Sequence, residues 1–325
     1  GIKQLITVNS GSSANLIAFS TFTSPKLKER AIKPSDEVIT VAAGFPTTIN
    51  PIVQFGAVPV FVDVKIPSYN IDETLIEEAI TPKTKAIMIA HTLGNPFNLK
   101  VVKSICEKNN LWLIEDSCDA LGSTYEGKMV GTFGDVGTFS FFPGKNLGAY
   151  GDAGCIVSND DDFAEKARRF ANHGALKKHH HDIEGINSRL DGIQAAILSV
   201  KLKYINGWNE NRLQNAMLYN NYLRDIEMVV PPQIHPDVKH VFHLYVIRIE
   251  KRDELAQFLK KNSISTSIHY PTALPFLDAY KYLGHKSDDF PISFHYMGEI
   301  LSLPMFPELS DYQIKFIVDK IKRIL

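Results

Sequence analysis

The stretch "SFFPGKNLGAYGDAGC", residues 140–155, decides how the rest of the chain is interpreted. An apolar strand end leads into a single lysine, Lys145, and a run of glycines and small residues follows it. A lysine in a turn is usually a surface residue, whereas a lysine buried beside a ligand can form a Schiff base with a carbonyl compound. The remaining sequence has to distinguish these two interpretations.

The composition limits the classes of partner. The chain has 325 residues, 44% of them hydrophobic, which is enough for a large core and two domains. Its 35 basic and 36 acidic residues balance, which gives no support to a nucleic-acid or membrane partner. Three cysteines without a CxxC pair, and the lack of an HExxH motif, argue against disulfides and bound metal. No apolar run reaches the roughly 20 residues of a membrane span. We therefore predict a cytoplasmic protein without a metal.

Short apolar segments alternate with helical patterns over the first half of the chain. The candidate strands are "QLITV", "EVITV", "VPVFV", "KAIMIA", "LWLIED", "GTFSF" and "CIVS". The candidate helices between the early strands are "SSANLIAFSTF", "PTTINPIVQFG", "IDETLIEEAI" and "LKVVKSICEKNN". This alternation predicts an α/β fold with a mostly parallel seven-stranded sheet. Ligands of such sheets bind outside the carboxyl ends of the strands.

The pattern changes in the second half. A long helical stretch over residues 188–226 is predicted to bend at Gly207, and "HVFHLYVIRIE" and "STSIHYP" are predicted strands. We therefore predict a large α/β domain over residues 1–205 and a smaller α+β domain over residues 206–325. The sequence begins at a strand without a methionine, so we expect that a further segment precedes it.

The segment "NSGSSAN", residues 9–15, follows the first strand and opens a helix. Gly11 permits a tight turn, and the amides of Ser12, Ser13 and Ala14 are predicted to point out of the helix N-terminus. Such amides bind a phosphate dianion. The alternative is an ordinary serine N-cap, and the sequence alone does not separate the two.

Two further residues follow predicted strands. Asp116 is a candidate metal ligand, helix cap or counter-ion for a protonated ring nitrogen. Phe45 is either a core residue or a ring stacked on a flat heteroaromatic ligand. At one sheet edge, the residue 9–15 loop, Phe45, Asp116 and Lys145 together fit a single ligand, pyridoxal phosphate. It has a phosphate, a ring, a ring nitrogen and an aldehyde for these four groups.

With these segments in place, the chain resembles the DegT/DnrJ/EryC1/StrS sugar aminotransferases over nearly its whole length. These enzymes depend on pyridoxal phosphate and have the type I fold of aspartate aminotransferase. The match at "SFFPGKNLGAYGDAG" implies that Lys145 forms the Schiff base. The resemblance further implies that Ser140 helps to hold the phosphate, that Asp116 pairs with the ring nitrogen and that Phe45 stacks on the ring. It also implies a homodimer in which Asn187, in "GINSRLDGIQAAILSVKL", reaches the phosphate in the neighbouring subunit.

The sequence departs from this family at Asp119, where the family commonly has glutamine. A carboxylate near the phenolic oxygen of the cofactor would repel that oxygen, so Asp119 is expected to be protonated, turned away or in contact with substrate. The first 135 residues also resemble the CDP-4-keto-6-deoxyglucose 3-dehydratase branch. That branch uses pyridoxamine phosphate and has a histidine at the position of Lys145, so Lys145 favours an aminotransferase.

The resemblance implies transfer of an amino group from L-glutamate to a keto sugar nucleotide, with pyridoxamine phosphate as the intermediate. The product would serve deoxysugar synthesis for lipopolysaccharide O-antigen, another cell-surface glycan or a glycosylated metabolite. For Lys145 to act as a base near pH 7, its pKa is expected to lie well below the usual value of roughly 10.4, because of burial and the neighbouring ring cation of the cofactor. The alternatives are a dehydratase-like enzyme that uses pyridoxamine phosphate, and a cofactor-binding regulatory protein on the same fold. The sequence does not specify the nucleotide, the sugar or the carbon atom that receives the amine.

Overall fold

The computed structural model describes residues 1–66 and 68–325. These residues form twelve β-strands and nine α-helices. The strands are β1 (Gln4–Val8), β2 (Glu37–Val41), β3 (Val58–Val62), β4 (Thr84–Ala90), β5 (Trp112–Asp116), β6 (Thr124–Tyr125), β7 (Lys128–Met129), β8 (Val136–Ser140), β9 (Gly154–Ser158), β10 (Val238–Lys239), β11 (Tyr245–Arg248) and β12 (Ile300–Leu303). The helices are α1 (Gly11–Phe22), α2 (Asn50–Gln54), α3 (Leu99–Asn109), α4 (Asp161–Ala171), α5 (Gly192–Lys201), α6 (Ile205–Leu223), α7 (Arg252–Lys261), α8 (Pro291–Glu299) and α9 (Asp311–Ile324).

The large sheet has the seven predicted strands, in the order β1-β9-β8-β5-β4-β2-β3. Its neighbours from β3 to β8 are parallel, and β9 runs antiparallel to both β8 and β1. Strand β1 consequently runs in the same direction as β8. The carboxyl ends of β1, β2, β4, β5 and β8 therefore meet at one edge of the sheet, as the prediction of a mostly parallel sheet requires.

Helix α1 begins directly after β1 because Ser10 caps it. The Ser10 hydroxyl accepts a hydrogen bond from the Ser13 amide at 3.0 Å. Ile17 and Phe19 on this helix are fully buried against the sheet and α4. Burial of a side chain of this size contributes about 1.5–3 kcal/mol, so packing fixes the helix N-terminus at the carboxyl edge of β1.

Several sequence predictions differ from the structure. Residues 71–80 form only two 3₁₀ turns, at Glu73–Leu75 and Glu77–Ala79, because few of their side chains find a buried face. The long helical stretch breaks at the 3₁₀ turn Leu202–Tyr204, and Gly207 lies inside α6. The prediction of a bend at Gly207 was therefore wrong.

The second half of the chain has a smaller core around the β11–β12 pair. Strand β12 was not predicted, whereas the predicted strand "STSIHYP" contributes only the bridge between Ser267 and Ser302. Asp63, which follows β3, accepts hydrogen bonds from the backbone amides of Ile292 and Ser293 at 2.9 Å each. These bonds hold the N-terminus of α8 against the large sheet. The division at residue 205 stays a prediction.

Membrane insertion of a helix has no support in the described ranges, because none of their helices is both long and apolar enough to span a bilayer.

Candidate active site

A cavity of about 450 Å³ lies at the carboxyl edge of the large sheet. Among its lining residues are Gly11, Ser12, Phe45, Asp116, Asp119, Ser140 and Lys145. Every residue predicted for the site lines this cavity except Ser13 and Asn187. The sheet topology explains the convergence, because these residues follow β1, β2, β5 and β8.

The backbone amides at the start of α1 differ in their hydrogen-bond partners. The Ser13 amide donates to the Ser10 hydroxyl, and the Ala14 amide donates to the Ser10 carbonyl oxygen at 3.0 Å. Both amides therefore have partners in the helix cap, and their role in phosphate binding stays a prediction. The amides of Gly11 and Ser12 have no such partner within residues 1–66 and 68–325 and remain at the positive end of α1.

Gly11 and Ser140 bring two strand ends into close contact. A Cβ atom at Gly11 would lie 2.6 Å from the Ser140 Cβ, so only glycine allows this approach. The Ser140 hydroxyl accepts a hydrogen bond from the Phe142 amide at 3.3 Å, which leaves its own proton available. Two free amides and one hydroxyl proton thus surround a small space, as a phosphate group requires.

Asp116 is a buried carboxylate held by neutral donors. Its Oδ2 atom accepts hydrogen bonds from Asn15 Nδ2 at 2.8 Å and from Thr48 Oγ1 at 2.7 Å. Its Oδ1 atom accepts a longer bond from the Cys118 amide at 3.1 Å. None of these donors carries a charge, so the negative charge of Asp116 is available to a cationic group in the cavity.

Asn15 and Thr48 were not among the site residues predicted from the sequence. The Thr138 hydroxyl donates to Asn15 Oδ1 at 2.5 Å, which turns the Asn15 amide group towards Asp116. The available signal was an asparagine in the apolar helical segment "SSANLIAF", since a fully buried polar side chain needs a partner.

Lys145 and Asp119 form an ion pair in which both side chains are mostly buried. Despite the opposing cost of burial, Lys145 lowers the pKa of Asp119 to about 2. The three alternatives for Asp119, which concern the chain with its cofactor bound, stay predictions. Burial, the largest single effect, would lower the pKa of Lys145, but the charge and hydrogen bond of Asp119, with smaller effects of Cys118 and Asp116, together raise it above its usual value. The expected depression of this pKa, which depends on the ring cation of a bound cofactor as well as on burial, stays a prediction.

Phe45 lies in the cavity wall and not in the core. Its side chain is 52% exposed, and its ring centre lies 5.5 Å from that of Tyr270. The interpretation of Phe45 as a core residue is therefore wrong, and one face of the ring is available to a flat ligand.

His243, His269 and Tyr270 complete the cavity from the second half of the chain. Burial lowers the pKa of His243 to about 3 and also lowers the pKa of His269, so both rings are neutral. The signal for His243 was a second histidine within the apolar segment "HVFHLYV", where a polar ring interrupts a buried run.

Asn187 lies outside the cavity. It is exposed and its backbone pairs with Asn172. The role expected of Asn187 in a neighbouring subunit stays a prediction.

The residues of the cavity fit pyridoxal phosphate. The Gly11 and Ser12 amides suit the phosphate, Asp116 suits a protonated ring nitrogen, and the Lys145 amine suits the aldehyde. Asp116 is also buried with neutral partners only, which is the arrangement that an incoming cation requires.

Several known proteins are similar to this chain in sequence, in fold or in both. A dTDP-3-amino-3,6-dideoxy-alpha-D-galactopyranose transaminase from Aneurinibacillus thermoaerophilus is 40% identical over 288 residues, which is 89% of this chain and 78% of the relative. The lipopolysaccharide biosynthesis protein RfbH from Salmonella typhimurium is 70% identical over only 143 residues, which is 44% of this chain and 33% of RfbH. The crystal structure of DesV from S. venezuelae superimposes with a TM-score of 0.94 and 33% identity, and the match covers 99% of this chain and 85% of DesV.

These matches confirm the predicted α/β fold of type I. They also confirm that the protein is an enzyme and that it depends on pyridoxal phosphate. The family match extends over residues 1–322, which is almost the entire sequence. The chain therefore belongs to the DegT/DnrJ/EryC1/StrS aminotransferase family.

Proposed function

We propose that this enzyme transfers an amino group from L-glutamate to the keto group of a sugar nucleotide. The observation that carries the proposal is the position of the Lys145 amine, which shares one cavity with the free amides of α1 and the buried Asp116. The name of the Aneurinibacillus relative supports a nucleotide-linked deoxysugar as the acceptor.

Pyridoxal phosphate, when bound, supplies an aldehyde that accepts the amino group and a ring that delocalises negative charge. Asp116, whose hydrogen-bond donors are neutral, would keep the ring nitrogen of the bound cofactor protonated. The Gly11 and Ser12 amides would bind the phosphate, and Phe45 would cover one face of the ring. Lys145 is the residue placed to remove and return a proton once its amine is neutral.

Lys145→Ala tests this role. We expect the variant to bind the cofactor but to lose an absorbance band that borohydride abolishes in the native enzyme. We also expect amino-sugar formation from L-glutamate and keto sugar nucleotides to fall below detection. Lys322→Ala, an exposed lysine near the C-terminus, is the control and should retain both signals. Turnover by folded Lys145→Ala would refute the proposal.

Product analysis also distinguishes the dehydratase-like alternative. A transaminase gives an amino sugar nucleotide, whereas a 3-dehydratase gives a product that lacks the C3 hydroxyl group. We expect only the amino sugar, because Lys145 provides the amine that a histidine at this position lacks. Loss of the C3 hydroxyl without amine incorporation would favour the dehydratase.

We further propose that the active unit is a homodimer with shared sites. Helix α5 exposes Ile193 (75%) and Val200 (62%), and Tyr150 beside it is 77% exposed. Gln194 of α5 accepts a hydrogen bond from the Tyr150 amide at 2.9 Å, so this apolar surface is continuous with the Lys145 loop. Exposed apolar surface of this kind favours association.

Complementation tests the shared site. Asn187→Ala is expected to weaken cofactor binding, and Lys145→Ala to abolish turnover. A mixed dimer of the two variants contains one site with both residues intact, so activity should return after the variants are unfolded and refolded together. Failure of mixed dimers to recover activity, with each variant folded, would contradict sharing of Asn187.

A further inference from the structure

We propose that Asp119 is a positioning residue that keeps the Lys145 side chain as an ammonium ion, and so sets the pH at which this amine can react with an aldehyde. The inference rests on the assignment of Lys145 in the proposed function. It assigns a role to the charge of Asp119, which the neutral glutamine common at this position in the family would not have.

The first argument is the geometry of the pair. Asp119 Oδ1 contacts Lys145 Nζ directly, and the two side chains are only 16% and 19% exposed. An ion pair that is shielded from water interacts much more strongly than a surface pair. Asp119 follows β5 and Lys145 follows β8, and these adjacent strands hold the two residues together.

His243 does not supply a positive charge that competes with Lys145 for Asp119. Asn209 Nδ2 donates to the Leu121 carbonyl oxygen, and Asn146 Nδ2 donates to both Asn209 Oδ1 and the Val241 carbonyl oxygen. Backbone carbonyl oxygens only accept, so they fix the orientation of both amides. Asn146 Oδ1 consequently faces His243 Nδ1 at 3.2 Å, and this ring nitrogen carries the proton.

The other ring nitrogen, His243 Nε2, is therefore an acceptor in the neutral ring. It lies 3.7 Å from Asp119 Oδ1, and burial lowers the pKa of His243 to about 3. A neutral acceptor does not compensate the charge of Asp119. The Lys145 ammonium is thus the cation that stabilises this carboxylate.

The other titratable groups that line the cavity affect the pKa of Lys145 less than Asp119 does, and Asp116 acts in the same direction as Asp119. These other groups are His91, Asp116, Cys118, Asp152, His269 and Tyr270. Burial raises the pKa of the Cys118 thiol and of the Tyr270 hydroxyl and lowers the pKa of His269, so all three are neutral near pH 7.

Three of these groups have other surroundings. His91 Nε2 contacts Glu115 at 3.0 Å, and Asp116 accepts from neutral donors. Asp152 is exposed to solvent. Within residues 1–66 and 68–325, Asp119 is the carboxylate that forms the ion pair with Lys145.

The chemical consequence concerns the lone pair of the amine. A neutral amine attacks the aldehyde carbon, the C=N bond forms and the oxygen leaves as water. An ammonium ion has no lone pair and must first release a proton to solvent. Asp119 stabilises the ammonium ion and so lowers the fraction of reactive amine at a given pH. A ligand that separates the two side chains removes this restraint.

Competitive labelling measures this effect without any sugar substrate. The full chain without added cofactor is treated with trace acetic anhydride from neutral to strongly alkaline pH. Mass spectrometry of the peptides then compares acetylation of Lys145 with that of exposed Lys322. We expect the midpoint for native Lys145 to lie above the usual lysine value of roughly 10.4.

The variants separate the charge of Asp119 from its shape. Asp119→Asn should lower the labelling midpoint of Lys145 by about 1–3 pH units, as expected for loss of a close opposite charge. Asp119→Gln, the second neutral variant, should do the same. Asp119→Glu should keep the midpoint high, and Asp152→Asn, which removes an exposed carboxylate of the same cavity, should leave it unchanged.

Two results would overturn the inference. One is an unchanged midpoint in Asp119→Asn or Asp119→Gln when circular dichroism shows that the variant is folded. The other is an equal shift in Asp152→Asn. The outcome is independent of the proposed function: a shifted midpoint without any amino-sugar product would refute the transaminase and leave the role of Asp119 intact.

Discussion

Asp116 and Asp119 lie three residues apart, line the same cavity and are both shielded from water, yet the chain stabilises them in opposite ways. Asp116 accepts hydrogen bonds from Asn15, Thr48 and the Cys118 amide, none of which is charged. Asp119 instead pairs with the Lys145 ammonium ion.

The difference determines which carboxylate can act on a ligand. Neutral donors fix the position of Asp116 without neutralising it, so its charge remains available to a protonated ring nitrogen. A cationic partner both fixes and neutralises Asp119, so its charge acts on Lys145 first. Two identical functional groups thus serve different purposes because their partners differ in charge and not because their burial differs.

The largest expected effect comes from Asp116→Asn, which keeps the shape of the side chain and removes its charge. The ring nitrogen then loses its counter-ion, so we expect kcat to fall by roughly 10²–10³-fold, similar to loss of one preorganised electrostatic group. Steady-state kinetics of the purified enzyme measure this change. An absorbance titration of the bound cofactor supplies the control, because its ring-nitrogen pKa should fall in Asp116→Asn. Retention of both values would show that Asp116 has no such role.

A smaller effect is expected at Asn15, which tests whether the neutral donors matter. Asn15→Ala removes one hydrogen bond from the buried Asp116 carboxylate, so the free energy of unfolding should fall by about 2–3 kcal/mol. Urea unfolding followed by circular dichroism measures this difference.

Asn15→Asp is the matched variant, since it retains the size of the side chain but places a second carboxylate beside Asp116. Its stability deficit should be greater at neutral pH than at acidic pH, where one carboxyl group is protonated. A deficit that does not depend on pH would mean that Asn15 acts through packing alone.

The sequence was sufficient to predict the large sheet because its strands are short apolar runs separated by clear turn and helix signals. "QLITV", "EVITV" and "VPVFV" match β1, β2 and β3 to the residue. The positions of Asp116 and Lys145 followed directly, because a residue at the end of a parallel strand lies at the ligand-binding edge whatever its neighbours are.

The partners of these residues were not predictable in the same way. Asn15 contacts Asp116 across 101 positions and His243 approaches Asp119 from the other half of the chain, so neither contact leaves a local pattern. The effect of Asp119 on the pKa of Lys145 leaves no local pattern either. The sequence predicted that Lys145 is buried. Its pKa also depends on Asp119, and only the structure shows that the Asp119 side chain, which follows β5, points towards Lys145.

The smallest expected effect is on stability at acidic pH, and it tests the Asp119 side of the comparison. The pKa of Asp119 is lowered from 3.8 to about 2 in the folded chain, so the pair contributes stability above pH 3.8 that is lost as pH falls through about 2. Asp119→Asn should therefore reduce the free energy of unfolding by about 1–2 kcal/mol at pH 6, and this difference from the native chain should disappear towards pH 2. Urea unfolding at a series of pH values measures the difference, with Asp152→Asn as the exposed control. If the difference in the free energy of unfolding persisted unchanged to pH 2, the substitution would act by disturbing packing, and the charge of Asp119 would not contribute to stability.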